Sequence, residues 1–483
     1  MSANGSRLHG SQSHRRQVPA RLKDRAHYII PGGCHTYAKG DDQYPILAPG
    51  FIVRGLGCRV WDTDGREYIE YGMGNRTVSL GHAYPAVLEA VQQELLRGGD
   101  FTRPSPVEVA CAEQFLSLID GAEMVKFCKD GSDATSGAVR LARAHTGRDL
   151  IAGCADHPLL STDDWFIGTT PMNAGIPQAI QQLTVTFRYN DVASAESLFE
   201  RYPGRIAALV LEPAGTEDPQ AGYLHALQHL CRANGALLIL NELVTGFRWH
   251  DGGAQKLYDI VPDLSTFGKA LANGFSVSAL CGRREFMRLG GLDHHDRPRV
   301  FLLSTTHGAE THALAAAIAT MQVYEREGVI DHLYRQGTRL RQQAEEVIRR
   351  HGLSEHVKIL GRPCCLSYAT LDQDRRPSEA FRTLLLQETI RRGVLMTSLM
   401  VSYSHTDEDI DLTVAAIDEA LDIYRRALDG GVERYLVGRP SQTVYRRYNR
   451  PEESARVRDR RPGGDGTEAS GDLQGRISAG PAA

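Results

Sequence analysis

Two apolar runs, IAALVL at the start of IAALVLEP (residues 206–213) and ALLIL (residues 236–240), flank YLHALQHLCRANG (residues 223–235), whose apolar positions recur every three or four residues. A strand that is apolar at every position has both faces covered, because the usual alternation disappears when neither face meets water. A helix between two such strands is a crossover, so the unit is βαβ. No other feature constrains the chain as much. It implies an α/β fold around a mostly parallel sheet, with ligand sites at the carboxyl ends of the strands.

The stretch DLSTFGKALANGF (residues 263–275) delivers Lys269 to such an end. A short apolar strand precedes the lysine and a small-residue turn follows it, whereas most lysines are solvated. Upstream, LILNELVTGFR (residues 238–248) puts Asn241 and Glu242 at the end of a buried strand, a costly place for polar groups unless they bind something. Their side chains alternate, so only one faces the site. In KFCKDGSDATSGAVRLARAHTGR (residues 126–148) a strand-like piece turns at Gly131 and Ser132 into a helix, placing backbone N–H groups and a hydroxyl at a helix N-terminus. That suits a phosphate, although Asp130, Ser132 and Asp133 are also ordinary capping residues. FLLSTTHGAETHALAAA (residues 301–317) places Ser304, Thr305, Thr306 and His307 ahead of another helix, where capping is again the plain alternative. A desolvated lysine, a phosphate-sized cradle and a polar strand end together describe a pyridoxal phosphate site.

Composition narrows the rest. The 483 residues can bury a large core, and 55 Lys and Arg against 59 Asp and Glu imply neither a nucleic-acid nor a membrane partner. The nine cysteines lack zinc-site or disulfide-framework spacing, so no metal is expected and a reduced, cytoplasmic setting is. No apolar stretch has the length of a membrane span. GCRVWDTDGREYIEYG (residues 57–72) reads as a hairpin, and residues 311–352 as a long helical pattern. Strand-like pieces follow in CCLSYATL and GVLMTSLMVSYS, suggesting a second α/β unit. From Arg446 the chain is polar and rich in Arg, Gly and Pro, too poor in apolar groups to offset its ordering entropy.

GSDATSGAVRLARAHTGRD, NELVTGFR, GGAQKLYDIVPDLSTFGKALANGFSVSALCGRR and SHTDEDID, in this order, make residues 25–426 resemble class III pyridoxal phosphate aminotransferases. Within them the glutamate-1-semialdehyde 2,1-aminomutases are most similar. The resemblance implies a fold-type-I architecture, a large domain with a mostly parallel central sheet plus a smaller α/β domain built from N- and C-terminal segments. Its boundaries would be a flexible N-terminus at 1–24, small-domain segments at 25–75 and 311–430, the cofactor domain at 76–310, and a largely disordered tail at 431–483. It makes Lys269 the Schiff-base lysine and Gly131 and Ser132 the cofactor-phosphate loop. Thr306 matches a threonine that reaches the phosphate from a neighbouring subunit, which implies a homodimer with shared sites. The reaction implied is transfer of an amino group from an amino donor to a carbonyl acceptor.

Departures accompany the match. Asn241 stands where the family has an aspartate facing the pyridine nitrogen, and an amide carries no charge to hold that nitrogen protonated. This weakens the electron sink and leaves a cofactor-binding protein without turnover as an alternative. Ala155 and Asp156 replace the aminomutase Tyr-His pair, with His157 next in line to stack on the ring. The region GVLMTSLMVSYSHT lacks the aminomutase's acidic residue. An aminomutase is therefore the runner-up to an aminotransferase. Polar loop residues such as Asn75, Arg76, Asp156, Ser161 and Tyr403 suit a hydroxylated acceptor, a keto sugar or cyclitol ketone.

Overall fold

The computed structural model describes residues 21–157 and 159–449. Three strands, β1 (Ile52–Leu56), β2 (Arg59–Asp62) and β3 (Glu67–Glu70), form an antiparallel meander. The expected hairpin is β2–β3; its turn is tied by the Asp62 carboxylate, which accepts the Asp64 and Arg66 N–H groups at 2.9 Å each.

The central sheet follows. Its strands are β4 (Met124–Cys128), β5 (Leu150–Cys154), β6 (Thr184–Phe187), β7 (Ile206–Leu211), β8 (Leu237–Asn241), β9 (Leu264–Phe267) and β10 (Ser278–Gly282). They lie in the order β4-β10-β9-β8-β7-β5-β6, and β10 alone runs antiparallel to its neighbours. β7 and β8 are buried at every position, as their unbroken apolar runs require. Their residues alternate between two cores. Leu238 and Leu240 pack with Tyr223 and Leu227 of the helix Tyr223–Ala233, while Leu237 and Ile239 pack with Ala134 and Ala138 of the helix Gly131–Thr146.

The long helical pattern after residue 310 divides into helices Thr311–Glu327 and Val329–Arg350 at Gly328, whose φ of +60° is cheap only for glycine. Strands β11 (Val357–Leu360) and β12 (Ser367–Thr370) pair antiparallel, and β13 (Val394–Leu395) adds to β3 in parallel. N- and C-terminal segments thus build the second sheet together.

Residues 1–20 and 450–483, which hold most of the two segments expected to be disordered, lie outside the described residues. The inner part of the expected tail is not loose. The Gln387 amide donates to the Tyr435 carbonyl at 3.0 Å and accepts the Val437 N–H at 2.8 Å, and the Ser441 N–H donates to Thr383 Oγ1 at 2.8 Å. Polar composition alone did not foresee a segment held by backbone hydrogen bonds. The helix Leu22–Ile29 likewise begins inside the N-terminal stretch expected to be flexible.

Gly337, inside the helix Val329–Arg350, is where backbone approach is closest. A Cβ there would lie 1.8 Å from the Pro363 carbonyl oxygen. Glycine to alanine in a helix otherwise gains roughly 0.5–1 kcal/mol, whereas overpacking costs roughly 1–3 kcal/mol. Gly337→Ala is therefore expected to lower the melting temperature. Gly50→Ala, with no atom within 4 Å, should leave it nearly unchanged. Equal melting of the two variants would show that the turn at Pro363 yields freely.

Candidate active site

Strand alternation decides which polar groups share a face. Asn241 follows Leu237 and Ile239, so its side chain lies on the side of the helix Gly131–Thr146. Its Nδ2 points to Thr135 Oγ1 and to the Leu160 carbonyl, both at 3.4 Å, and its Oδ1 accepts the Leu243 N–H at 3.1 Å. Glu242 turns the other way, as alternation requires. It accepts the Ala254 N–H at 2.9 Å, the Gln255 N–H at 2.6 Å and the Thr245 hydroxyl. Complete burial pushes this carboxyl up to about 7 against those three donors. Glu242 therefore does not stand in for the missing aspartate.

Glu212 follows β7 and continues the alternation of Ala208 and Val210, which pack with the same helix as Asn241. The Glu212 carboxylate is buried, and desolvation raises its pKa while Lys269 and Arg76 oppose the rise. The sequence reading passed over it, although a carboxylate closing an all-apolar strand carries the same signal that singled out Asn241.

Lys269 opens a one-turn 3-10 helix (Lys269–Ala272) directly after β9 and Gly268. Its φ is +48°, a left-handed conformation costing a residue with a Cβ on the order of 1 kcal/mol or more. Gly268 leaves no room for a side chain, since a Cβ would come within 2.4 Å of Ser278 Oγ. Among the described residues the Lys269 amine makes neither a hydrogen bond nor an ion pair. Desolvation lowers its pKa to about 8, Arg76 and Arg248 push in the same direction, and Glu212 opposes them. More of this amine is therefore neutral at a given pH than in a surface lysine.

The cradle differs from expectation in one respect. The Asp130 carboxylate already holds the Ser132 and Asp133 N–H groups, at 2.8 and 3.0 Å, so these donors are capped rather than free. Ser132 Oγ accepts the Thr162 N–H at 2.9 Å. Gly131 keeps the turn narrow: a Cβ would meet Leu243 Cδ1 at 2.3 Å. His157 is buried, its Nδ1 accepting the Glu212 N–H at 3.0 Å, its ring 5.1 Å from that of Tyr189. Burial lowers its pKa to about 4, so the ring is neutral near pH 7, and the bond to Nδ1 places the proton on Nε2. Thr306 lies in the exposed run 304–307.

Two arginines complete the surroundings. Arg248 is fully buried and donates to the carbonyls of Val244 at 2.8 Å and Arg76 at 2.9 Å. Arg76 is half-buried and was noticed in the sequence only as a polar loop residue.

The sequence pattern of aminotransferase class-III matches residues 37–421. The chain belongs to this family. It is 32% identical over 411 residues to the 3-aminobutyryl-CoA aminotransferase of Cloacimonas acidaminovorans, covering 83% of this chain and 95% of that one. It is 34% identical over 416 residues to the glutamate-1-semialdehyde 2,1-aminomutase of Thermus thermophilus, covering 81% and 96%. The pyridoxal phosphate form of the FumI protein of Sphingopyxis sp. MTA144 superposes with a TM-score of 0.77 at 30% identity, covering 85% of this chain and 97% of that one. Class-III members are pyridoxal phosphate enzymes, and the residues present fit that cofactor. Lys269 offers an unpaired amine, and Thr266 Oγ1, in register with Asn241, is buried without a partner among the described residues. The turn at Gly131 admits no side chain.

The lowered pKa is directly testable. Acetic anhydride labelling of the cofactor-free protein should modify Lys269 half-maximally near pH 8, with Lys256, which is exposed and ion-paired to Asp120, following the ordinary lysine range or above. Co-titration of Lys269 with Lys256 would mean that water reaches the amine freely.

Proposed function

We propose that this class-III enzyme is an aminotransferase that moves an amino group from a small amino donor to the carbonyl of a small polar acceptor, a keto sugar or cyclitol ketone. The observation that carries the reading is the desolvated Lys269 amine, set against Glu212 at the ends of β7, β8 and β9. Bound pyridoxal phosphate supplies an aldehyde that takes up the amino group and a ring that withdraws electrons from the adjoining carbon. Lys269 Nζ would hold the proton that moves between two neighbouring carbons, acting as base and then as acid. A pKa near neutral suits both directions of that transfer. Glu212 steadies the protonated amine. Asn241 would offer the ring nitrogen an uncharged amide, and Gly131, Ser132 and the partner's Thr306 would hold the phosphate, so that the working unit would be a homodimer. His157 would cover the ring as a neutral imidazole. A cytoplasmic setting is part of the same reading.

An intramolecular aminomutase is the second reading, favoured by relatives bearing that name. Against it stands Asp156, in the place of the aminomutase pair. Its carboxylate is engaged by the Tyr189 N–H at 2.8 Å and by Arg188 at 2.9 Å. Polar groups around the site favour an acceptor with hydroxyls, since a site built to hydrogen-bond them rejects analogues lacking them.

With glutamate or alanine as donor, an aminated product should form from members of a panel of keto sugars and cyclitol ketones. Conversion of glutamate-1-semialdehyde alone, with no product from any donor and acceptor pair, would give the second reading instead. Asn241→Asp should move the nitrogen-15 shift of labelled cofactor toward the protonated range, from an unprotonated wild type. A wild-type nitrogen already protonated would contradict the role given to the amide.

A further inference from the structure

We propose that Lys129 and Glu310 are positioning residues for the phosphate end of the cofactor, a clasp that fastens the segment bearing Thr306 to the chain that forms the Gly131 turn. Lys129 leaves β4 two residues before Gly131. Its backbone is tied to the chain that follows the lysine turn, because the Ser276 hydroxyl donates to the Lys129 carbonyl at 2.8 Å. Its ammonium pairs with the Glu310 carboxylate, and the two side chains are only 29% and 22% exposed. A fully exposed pair contributes little, whereas a sheltered one is screened less by salt. His312 Nε2 lies 4.0 Å from the oxygen that Lys129 holds, and His307 Nδ1 lies 3.5 Å from the other. The hydrogen bond from Lys129, above all, holds the Glu310 carboxyl below the usual carboxylate range.

Glu310 is a fixed point in its own right. Its carbonyl accepts the Ala313 and Leu314 N–H groups at 3.1 and 3.2 Å, which opens the helix Thr311–Glu327, and Ala313 and Leu314 are buried. At the other end of the segment, Arg140 of the helix Gly131–Thr146 donates to the Phe301 carbonyl at 2.7 Å. Leu303 packs on the same helix, where a Cβ on Gly137 would lie 3.1 Å from its side chain. Both fastenings of residues 301–310 therefore run to the strand, turn and helix that make the cradle. Between them Ser304, Thr305 and Thr306 are exposed, and among the described residues their hydroxyls make no hydrogen bond. A hydroxyl that is to meet a phosphate must be held in place beforehand, since a segment loose at one end pays its ordering entropy on binding. The upstream fastening also has Leu303 packed beside it; the downstream one depends on the two charged side chains.

The inference rests on the reading that Gly131, Ser132 and Thr306 hold the phosphate, and its test separates the two. The cofactor-free protein is titrated, by absorbance, with pyridoxal phosphate and with pyridoxal, which has the same aldehyde and ring but no phosphate. Lys129→Met and Glu310→Gln should each lose roughly 5- to 20-fold of the affinity for pyridoxal phosphate and none for pyridoxal, which also shows that the variants are folded. The double variant should lose no more than either single one. Exchanging the charges, Lys129→Glu with Glu310→Lys, should restore most of the affinity. Losses that add in the double variant, an equal loss for pyridoxal, or a loss in Lys129→Met without one in Glu310→Gln would each overturn the clasp; the last would mean that the ammonium acts on the phosphate directly. Weaker pyridoxal phosphate binding in Ser132→Ala and Thr306→Ala, beside unchanged Lys129 and Glu310 variants, would overturn the clasp alone. Unchanged binding in Ser132→Ala and Thr306→Ala would remove the phosphate reading and the clasp with it.

Discussion

Everything around the site depends on keeping one amine out of water without giving it a fixed partner. A buried ammonium is expensive, and proteins meet that cost either with an ion pair or by letting the group lose its proton. Lys269 takes the second course in part. Desolvation and the positive charges of Arg76 and Arg248 draw its pKa down to about 8, and the Glu212 carboxylate limits the fall. A close ion pair with Glu212 would have held the proton on the lysine. A wholly apolar pocket would have removed any reason for the group to take one up. The balance between them is what a proton-transferring amine requires.

That balance is structural as much as electrostatic. Glu212 is fixed by β7 and, through its own N–H, pins His157; Asn241 is fixed by β8; Lys269 leaves β9 in a left-handed turn that Gly268 makes possible. Arg248 ties the end of β8 to the strained turn after β3, joining the central sheet to the small one. A buried guanidinium bonded to carbonyls alone, with its Nε left without a partner among the described residues, is an uncommon use of charge. Here it holds a loop rather than a ligand, and the close Gly337–Pro363 approach seats the Cys364–Cys365 turn on the helix Val329–Arg350.

Much of this was legible in the sequence. The unbroken apolar runs gave β7 and β8, the DG turn gave the β2–β3 hairpin, and alternation put Asn241 and Glu242 on opposite faces. What escaped did so for identifiable reasons. Glu212 and Arg76 carry no motif of their own, and their influence on Lys269 exists only once the end of β7 and the turn after β3 are folded together. The antiparallel β10 and the two-residue β13 are set by tertiary pairing rather than by local pattern. The break at Gly328 was hidden because the apolar spacing continues on both sides of it. Asp130 was recognised as a capping residue, but only the folded turn shows its carboxylate already holding the cradle's N–H groups.

The most direct test of the account is to load the protein with pyridoxal phosphate, reduce it with borohydride and map the modified peptide by mass spectrometry. The account predicts a single pyridoxyl group, carried by Lys269, and its loss in Lys269→Ala. A pyridoxyl group on Lys256 or on any other lysine, with Lys269 unmodified, would contradict it.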